Sequence, residues 1–590
     1  MSNSHNRWTR WFPWLAWRKS YQQSDLVADL LAGAVVAVLL VPQGMAYAML
    51  AGLPPQMGLY AAILPTLLYS LFGSSRSLAV GPVAIASLMT GEAVLAFAEI
   101  GSQQYLQLTV QLSLLTGLFL LLLRMLRMGQ VVAFLSHAVI SGFTAGAAVL
   151  IALNQLSHIS GISLAGAHGA AELMMTFWQR LEQLNPTTLM IAGVALLLLV
   201  LWKSLLPAGL TRLGMSKTLA SMLGKAAPMA AVIFGLLVIG LGDYDQSAGV
   251  KIVGAIPAGL PEISVVNIFQ TPDNQSIWHN LWILAPSAFL IALVGFLESV
   301  SVATALAGKK RETIEPDNEL FALAIANLGS AVSGTMPVAG GFGRSMVNDA
   351  AGAKTTLASV ISAVLLLITL LWFTEWFEQL PKAVLGAVIL IAVLPLIDIK
   401  SILQTWRYNK ADGVTLFTSF VAVLVCGVEL GILIGIGCSF VLLVWRVSQP
   451  HIARVGRVDA TGHYRNLKRY PQAQHQGLLL IRVDESLYFA NARVVEDSLM
   501  QLALAEGQSG HLVLICSGIN FIDASALESL ERLQTKLQSA GIVLHLAEVK
   551  GPVMDRLAAT RFIDHLGQGK VFLSTEQAVD YLTQQLEWTI

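Results

Sequence analysis

Residues 79–84 read AVGPVA and residues 336–345 read MPVAGGFGRS, and a short apolar stretch follows each of them. Glycine and proline interrupt helices, and interruptions at corresponding places of two halves are typical of transporters with discontinuous membrane helices. The two motifs therefore predict two half-helices that begin inside the bilayer. The alternative is a pair of packing kinks, which the matching positions of the motifs disfavour.

The surrounding composition is that of an integral membrane protein with a soluble domain attached. Of the 590 residues, 55% are hydrophobic and 12% are charged, whereas soluble proteins carry about a quarter charged residues. Many apolar stretches are long enough to cross a hydrocarbon core of about 30 Å. We expect a cytoplasmic or interfacial arm at 1–25, a transmembrane domain at 26–448 and a cytoplasmic domain at 449–590.

Hydropathy and helix breakers together predict fourteen spans. The spans lie near 26–47, 57–73, 80–97, 105–125, 130–153, 186–202, 226–241, 282–307, 317–334, 343–353, 356–374, 382–396, 412–426 and 429–447. Each set of seven has one of the two motifs at its third span. Because seven is odd, the second set crosses in the opposite sense, so the predicted fold is a polytopic α-helical bundle of two inverted repeats.

The basic residues support an orientation with both termini in the cytoplasm. Of the 22 Lys and Arg residues in 1–445, 18 fall on the cytoplasmic side of the predicted spans. Arg180, Lys251 and Lys382 fall outside, and Arg344 lies within the membrane. Tryptophans and basic residues alternate in the N-terminal arm, which is typical of an interfacial segment.

Neither a cofactor nor a nucleic-acid partner is indicated. The three cysteines, Cys426, Cys438 and Cys516, are far apart in the chain, so the sequence predicts no disulfide framework and no metal site. The net charge of zero gives no sign of a nucleic-acid partner.

Two half-helix N-termini that face each other would form an anion site, because each has unpaired N–H groups and a partial positive charge. Arg344 opens the tenth span and Glu298 lies in the eighth, and charged residues at such depth are usually paired or functional. We expect them to form a pair in which Glu298 takes up and releases a proton; a permanent salt bridge is the alternative. Gln43 and Tyr47, one helical turn apart, offer an amide and a hydroxyl to the same anion.

Several motifs closely resemble those of the sulfate permease (SulP) family. They are VPQGMAYA at 41–48, LPP at 53–55, GLY at 58–60, FGSSR at 72–76, VGPVA at 80–84, GFLES at 295–299, GRS at 343–345 and AGAKT at 351–355. The resemblance covers essentially the whole chain. It implies fourteen spans divided into a core and a gate, an elevator-like mechanism, a homodimer, and a C-terminal STAS domain (sulfate transporter and anti-sigma factor antagonist).

The resemblance also implies where the substrate and the coupling ion bind. The implied anion site lies between the half-helices of spans three and ten, and its matching residues are Gln43, Tyr47, Val83, Ala84, Gly343, Arg344 and Ser345. Glu298 matches the acid that the family associates with ion coupling. Many relatives have serine at the position of Gly343, so one hydroxyl is missing here. Sodium-coupled bicarbonate relatives carry Asp and Thr where this chain has Glu298 and Val302, and a valine side chain offers sodium no oxygen, which favours protons.

The C-terminal region predicts a small α/β domain and not an enzyme. Its strands are expected at 478–483, 511–516 and 542–549, with helices near 491–505, 525–540, 552–559 and 575–587. Residues 521–527 resemble the STAS loop whose serine is phosphorylated, which implies a regulatory role for Ser525 and Asp523. Capping of the following helix by either residue is the alternative.

The function that we expect is proton-coupled sulfate uptake across the cell inner membrane. Bicarbonate or C4-dicarboxylate transport is a second hypothesis within the same class. An uncoupled anion channel or a voltage-responsive membrane motor belongs to a different class, and Glu298 disfavours the uncoupled channel. A nucleobase carrier of similar fold is disfavoured by Arg344, because a neutral base needs no arginine.

Overall fold

The computed structural model divides into two compact units, Met1–Cys438 and Ser439–Ile590. The residues that it describes are 12–18, 20–129, 136–164, 169–215, 220, 223–224, 226–255, 259–260, 277–310, 312–458, 463–470, 478–505 and 510–587. Much of the predicted N-terminal arm, namely residues 1–11 and Lys19, lies outside the described residues. Three further basic residues used for the orientation, Lys217, Lys225 and Arg311, also lie outside them.

In its described residues, the first unit is helical apart from two very short strands. Its helices before the gap at 130–135 are α1 (Trp14–Arg18), α2 (Gln23–Leu50), α3 (Pro55–Tyr60), α4 (Leu64–Phe72), α5 (Ala84–Leu95) and α6 (Gln103–Met125), with β1 (Val80–Gly81) between α4 and α5. The next are α7 (His137–Ser160), α8 (Gly169–Gln179), α9 (Pro186–Arg212), α10 (Ala227–Gly242) and α11 (Tyr244–Ser247). The second half contains α12 (Ile277–Lys310), α13 (Pro316–Val332), β2 (Ala339–Gly340), α14 (Phe342–Ala350), α15 (Leu357–Trp372), α16 (Lys382–Val393), α17 (Ile399–Tyr408), α18 (Lys410–Cys426) and α19 (Val428–Ser448).

Seven helical stretches in the described part of the chain are long and apolar enough to cross a membrane. Three further apolar helices, α5, α10 and α15, are shorter. The predicted span at 57–73 is divided into α3 and α4, and the one at 382–396 leaves the α-helical form after Val393. A polytopic helical membrane fold is therefore confirmed, while the count of fourteen spans stays a prediction.

The helices of the first unit pack in two groups. The first helix group contains α2–α6 and α12–α15, in which α6 packs on α12 and α13 and α2 packs on α15. The second helix group contains α7–α10 and α16–α19, in which α7 packs on α16 and α18, and Gly431 and Gly435 of α19 rest on α18. This division agrees with the predicted core and gate.

Glycines allow the close contacts inside each group. A Cβ atom added to Gly58 would lie 1.8 Å from the carbonyl oxygen of Gly44, so the turn of α3 can rest on α2 only without side chains there. A Cβ atom at Gly142 of α7 would similarly lie 2.1 Å from the carbonyl oxygen of Leu416 in α18. Small residues at such crossings are typical of membrane helices, which associate through close backbone packing.

The second unit is an α/β domain around a six-stranded mixed sheet. Its elements are β3 (Ile452–Val458), β4 (His463–Asn466), β5 (Leu478–Val483), α20 (Ala492–Ala505), β6 (His511–Ile515), α21 (Ala524–Ser539), β7 (Val543–Ala547), α22 (Gly551–Ala559), α23 (Phe562–His565), β8 (Val571–Phe572) and α24 (Thr575–Glu587). The strand order is β4-β3-β5-β6-β7-β8, and the strands from β5 to β8 run parallel. The predicted strands and helices are confirmed, whereas β3 and β4 were not predicted.

Candidate anion-binding site

The two interrupted motifs meet in the first unit. Strand β1 pairs antiparallel with β2, with Val80 opposite Gly340 and Gly81 opposite Ala339. Each strand leads directly into a half-helix, α5 after β1 and α14 after β2. The prediction that the two half-helices begin at one place is therefore confirmed, and we call this pair of strands the crossing.

Side chains from neighbouring helices hold the crossing in place. The Thr66 hydroxyl donates to the carbonyl oxygen of Val80 at 2.7 Å. The Ser299 hydroxyl accepts a hydrogen bond from the backbone N–H of Gly340 at 2.8 Å. Backbone groups inside a membrane protein need such partners, because no water is there to satisfy them.

Arg344 is bound to the crossing itself. Its guanidinium donates to the carbonyl oxygens of Ala79 at 2.9 Å, Pro82 at 2.7 Å and Ala339 at 3.1 Å. Only 3% of the residue is exposed. A guanidinium has five N–H donors in a rigid plane, so it can hold three carbonyl groups of an irregular backbone and still present positive charge to a cavity.

The expected ion pair between Glu298 and Arg344 is wrong. Within the described part of the chain, no salt bridge joins Glu298 to a basic residue. The Glu298 Oε2 atom is buried and has no hydrogen-bond partner. The physical reason is that the backbone carbonyls of the crossing occupy the guanidinium, which leaves the carboxylate unpaired nearby.

A cavity of about 290 Å³ lies directly beside the crossing and the starts of both half-helices. It is lined by seven of the eight residues expected to bind the anion or the coupling proton, namely Gln43, Tyr47, Val83, Ala84, Glu298, Gly343 and Arg344. The sequence did not predict the contributions of Lys203 of α9, Phe342 of α14 and the apolar residues Val388 and Ile391. Lys203 was assigned to a cytoplasmic segment, so its charge gave no sign of the cavity.

Ser345 does not line this cavity, which corrects its assignment to the anion site. Its side chain is fully buried, and its hydroxyl accepts a hydrogen bond from the backbone N–H of Ala79 at 2.9 Å. The reason is the helical period of α14, which turns Gly343 and Arg344 towards the cavity and Ser345 towards the strand before α5. Ser345 is therefore a structural contact of the crossing.

The cavity is suited to a negative ligand. Val83 and Gly341 stand at the N-cap positions of α5 and α14, and neither provides a side-chain cap. The backbone N–H groups of both first turns therefore lack side-chain acceptors at the cavity, where the two helix dipoles add partial positive charge. Among the described residues, the charged ones in the lining are Arg344 and Lys203 against the single carboxylate of Glu298.

In the second unit, Asp523 caps α21. Its Oδ1 atom accepts a hydrogen bond from the N–H of Ala526 at 2.8 Å, and its Oδ2 atom accepts one from the N–H of Phe489 at 2.7 Å. Ser525 lies exposed in the first turn of the same helix. The capping alternative is thus observed for Asp523, and Ser525 is open to solvent.

Comparison with known proteins adds independent information on the whole chain. The profile of the sulfate permease family matches residues 26–419, and that of the STAS domain matches residues 470–578. Among curated proteins, "Sulfate transporter 4.1, chloroplastic" of Arabidopsis thaliana is 32% identical over 97% of this chain and 82% of its own length. "High affinity sulfate transporter 2" of Stylosanthes hamata is 31% identical over 95% of this chain and 85% of its own length.

Solved structures share the fold. The murine Slc26a9 anion transporter in the inward-facing state superimposes with a TM-score of 0.86 at 23% identity, covering 99% of this chain and 96% of that one. The transmembrane domain of the cyanobacterial bicarbonate transporter BicA gives a TM-score of 0.57 at 19% identity, over 71% of this chain and 98% of that one.

Proposed function

Because the chain belongs to the sulfate permease family, we propose that it is a secondary active transporter that takes up sulfate together with protons. That it is an anion transporter and not an enzyme follows from the family. The observation that carries the proposal is the convergence of two uncapped half-helices and Arg344 on one cavity. Relatives named as sulfate transporters make sulfate the first anion to test.

The cavity offers sulfate donors on several sides. N–H groups of α5 and α14 approach from the two half-helix starts, and the Gln43 amide and the Tyr47 hydroxyl come from α2. Arg344 supplies fixed positive charge, since its contacts with three carbonyl groups hold it in place. A tetrahedral oxyanion needs several donors pointing inward, which this arrangement provides without a metal ion.

Glu298 is proposed to carry the coupling proton. It lines the cavity with an unpaired, buried carboxylate oxygen, so a dianion entering beside it would meet a like charge. Uptake of one proton removes this repulsion, and release of the proton on the other side restores it. Val302, one turn further along α12, is buried and has no side-chain oxygen for a sodium ion.

Further parts of the proposal concern the whole protein. The first helix group moves against the second to expose the cavity to either side in turn, as in an elevator. The protein is a homodimer of the cell inner membrane, with both termini in the cytoplasm. In the second unit, the exposed Ser525 beside Asp523 is a candidate site of regulatory phosphorylation, because the start of α21 favours a negative group.

A carboxylate substrate is the second candidate. A Cβ atom added to Gly343 would meet no atom within 4 Å, so this wall of the cavity is open where many relatives have serine. That space would admit bicarbonate or the second carboxylate of a C4-dicarboxylate.

Uptake into proteoliposomes tests the proposal. Purified protein is reconstituted, and the initial uptake of radiolabelled sulfate, bicarbonate and succinate is measured under an imposed proton gradient, a sodium gradient or neither. We expect sulfate to accumulate, and an inward proton gradient but not a sodium gradient to accelerate it. Accumulation of succinate or bicarbonate without accumulation of sulfate would show that sulfate is not the substrate. Equal uptake rates with and without the proton gradient would refute proton coupling.

A further inference from the structure

A second cavity lies in the first unit near the C-terminal end of α2. Its volume is about 620 Å³, and it shares no lining residue with the cavity of the anion site. Among the residues that the structure describes, the titratable ones that line it are Glu92 of α5, Tyr105 of α6, His158 of α7, Glu172 of α8 and Cys426 of α18. These residues come from both helix groups, so this cavity opens along the boundary between them.

Helix α5 reaches from one cavity to the other. Ala84, its first residue, lines the anion site, and Glu92, two turns later, lines the second cavity. The helix has 12 residues and therefore a length of about 18 Å. A displacement of the start of α5 would therefore also displace Glu92.

Glu92 joins the two helix groups. Its Oε2 atom accepts a hydrogen bond at 3.1 Å from the backbone N–H of Val428, the first residue of α19. The contact connects α5 of the first helix group to α19 of the second. An amide in the first turn of a helix has no partner within that helix, and a carboxylate is its strongest side-chain acceptor.

Glu429, the next residue, lies near Ser287 of α12 in the first helix group. Its Oε1 atom is buried and has no hydrogen-bond partner. Glu92 and Glu429 are close enough to interact electrostatically. Within the described part of the chain, no Lys or Arg forms a salt bridge with either carboxylate, so their charges are not compensated there.

Gln155 adds an unused acceptor to the same cavity. Its residue is 1% exposed, and its Oε1 atom has no hydrogen-bond partner. The wall of the second cavity therefore combines the Glu92 carboxylate with the Gln155 amide, and the Glu429 carboxylate lies close to Glu92. A proton is the ligand that this set lacks.

We propose that Glu92 and Glu429 form a second proton-binding site, which ties the two helix groups together until it is protonated. The ionised Glu92 carboxylate holds the N–H of Val428. Two neighbouring like charges in a poorly solvated place favour the uptake of a proton. A protonated Glu92 is a weaker acceptor, so α5 is released from α19. The inference rests on the proposed function and extends it, because it places a proton-controlled contact at the far end of α5 from the anion.

A cysteine at position 343 can report the movement. In a full-length variant with Cys426, Cys438 and Cys516 replaced by alanine, Gly343→Cys places a thiol in the anion cavity where its Cβ atom has free space. A membrane-impermeant maleimide is added to either side of oriented vesicles. Labelling from the side on which the second cavity lies measures how often the anion cavity opens to that side.

Glu92→Gln keeps the size of the side chain but removes its charge, as protonation does. We expect it to raise labelling from the second-cavity side about threefold or more over the parent, and Glu429→Gln to act in the same direction. Glu99→Gln, an exposed acid in the segment after α5 that does not line the second cavity, is the matched control and should leave labelling unchanged. Equal labelling of parent and Glu92→Gln, or an equal rise in the control, would overturn the proposal.

Acidification gives a second readout. When the second-cavity side is taken from about pH 8 to about pH 5.5, the ratio of labelling in the parent to that in Glu92→Gln should rise towards one. Taking this ratio cancels the ionisation of the reporter thiol, which is common to both proteins. A ratio that stays constant would contradict the proton dependence.

The test is independent of transport. Labelling needs neither sulfate nor a gradient. If sulfate uptake is absent, the proposed function is refuted, but the labelling still tests the contact between Glu92 and α19. Total labelling after denaturation and the elution volume in detergent show whether each variant is folded. If Glu92→Gln is not folded, Glu429→Gln decides the question by the same two criteria.

Discussion

Glu319 and Glu298 lie on neighbouring helices of the first helix group, α13 and α12, and they differ in how many hydrogen-bond partners their carboxylates have. Glu319 is fully buried, and its oxygens accept hydrogen bonds from the Tyr69 hydroxyl at 2.7 Å, the Ser74 N–H at 2.8 Å and hydroxyl at 2.6 Å, and the Ser75 N–H at 3.1 Å. Glu298 lines the anion cavity and leaves Oε2 without a partner. A carboxylate with every acceptor site used holds the fold, whereas one with an unused site is available for a ligand or a proton.

Asp29 of α2 belongs with Glu319 in this comparison. It accepts hydrogen bonds from the N–H of Lys354 at 2.7 Å, the N–H of Thr355 at 3.1 Å and the Thr355 hydroxyl at 2.6 Å. Together the two acids fix the loops after α4 and after α14, whose motifs FGSSR and AGAKT carried part of the family resemblance. Those motifs are therefore explained by the fixing of loops, whereas the motifs at 41–48, 80–84, 295–299 and 343–345 supply residues that line the cavity.

Arg344 both holds the backbone of the crossing and lines the cavity, so its removal should have the largest effect. We expect Arg344→Ala to abolish sulfate uptake and to lower the stability by about 3–5 kcal/mol, because three buried carbonyl groups lose their donor. Arg344→Lys keeps the charge but cannot hold three carbonyls in one plane, so it should also lose most uptake. Melting temperature in detergent and initial uptake rate measure the two effects. Near-normal uptake by either variant would remove Arg344 from the site.

Glu319→Gln should lower stability more than transport per folded molecule. The amide keeps the shape but turns N–H groups towards the donors of Tyr69 and Ser74, which costs about 2–4 kcal/mol. Asp29→Asn should behave alike, and Glu99→Gln, an exposed acid, serves as the control without effect. Two measurements test this prediction: the melting temperature of each variant, and its sulfate uptake divided by the amount of folded protein. A stable Glu319→Gln protein with lost uptake would break the distinction between the two kinds of acid.

How far the sequence predicted this site depends on the kind of residue. Glycine and proline at 79–84 and 336–345 predicted two half-helices that begin at one place, because these residues determine backbone form locally, but the pairing of β1 with β2 was not predicted. Glu298 and Arg344 were recognised by their charge in an apolar segment, but the ion pair between them was wrong. The guanidinium of Arg344 bonds to backbone carbonyl groups from two segments that are distant in the sequence. The spacing of residues in the sequence does not show that these carbonyl groups come together.

The misassigned and missed residues have the same cause. Ser345 stood beside Arg344 in the motif, yet the turn of α14 directs its hydroxyl to Ala79. Lys203 was counted as a charge at the end of a span, although α9 brings it to the cavity wall. Sequence adjacency therefore identified the elements of the site, whereas the direction of each side chain required the packed helices.

Glu298→Gln tests the other half of the comparison. Because Glu298 stabilises no donor through Oε2, we expect the melting temperature to stay unchanged and the proton dependence to disappear. Lowering the outside pH from about 7.5 to about 5.5 should raise sulfate uptake about fivefold in the wild type and leave the variant flat. Glu92→Gln, which leaves Glu298 intact, should retain some stimulation. A Glu298→Gln protein with unchanged pH dependence would show that coupling lies elsewhere.

Two neighbouring glycines provide the smallest and sharpest test, since one faces open space and the other faces Arg344. A Cβ atom at Gly343 would meet nothing within 4 Å, whereas at Gly341 it would lie 3.0 Å from Nε of Arg344. Gly343→Ser should therefore add a donor for the anion and lower the KM for sulfate about two- to fivefold, the effect of one neutral hydrogen bond. Gly341→Ser should instead displace the guanidinium and reduce uptake, although it adds the same hydroxyl two residues away. Kinetics of both variants decide the point: a gain at both positions would mean that any hydroxyl near α14 helps, and a loss at Gly343 would mean that sulfate does not approach this wall.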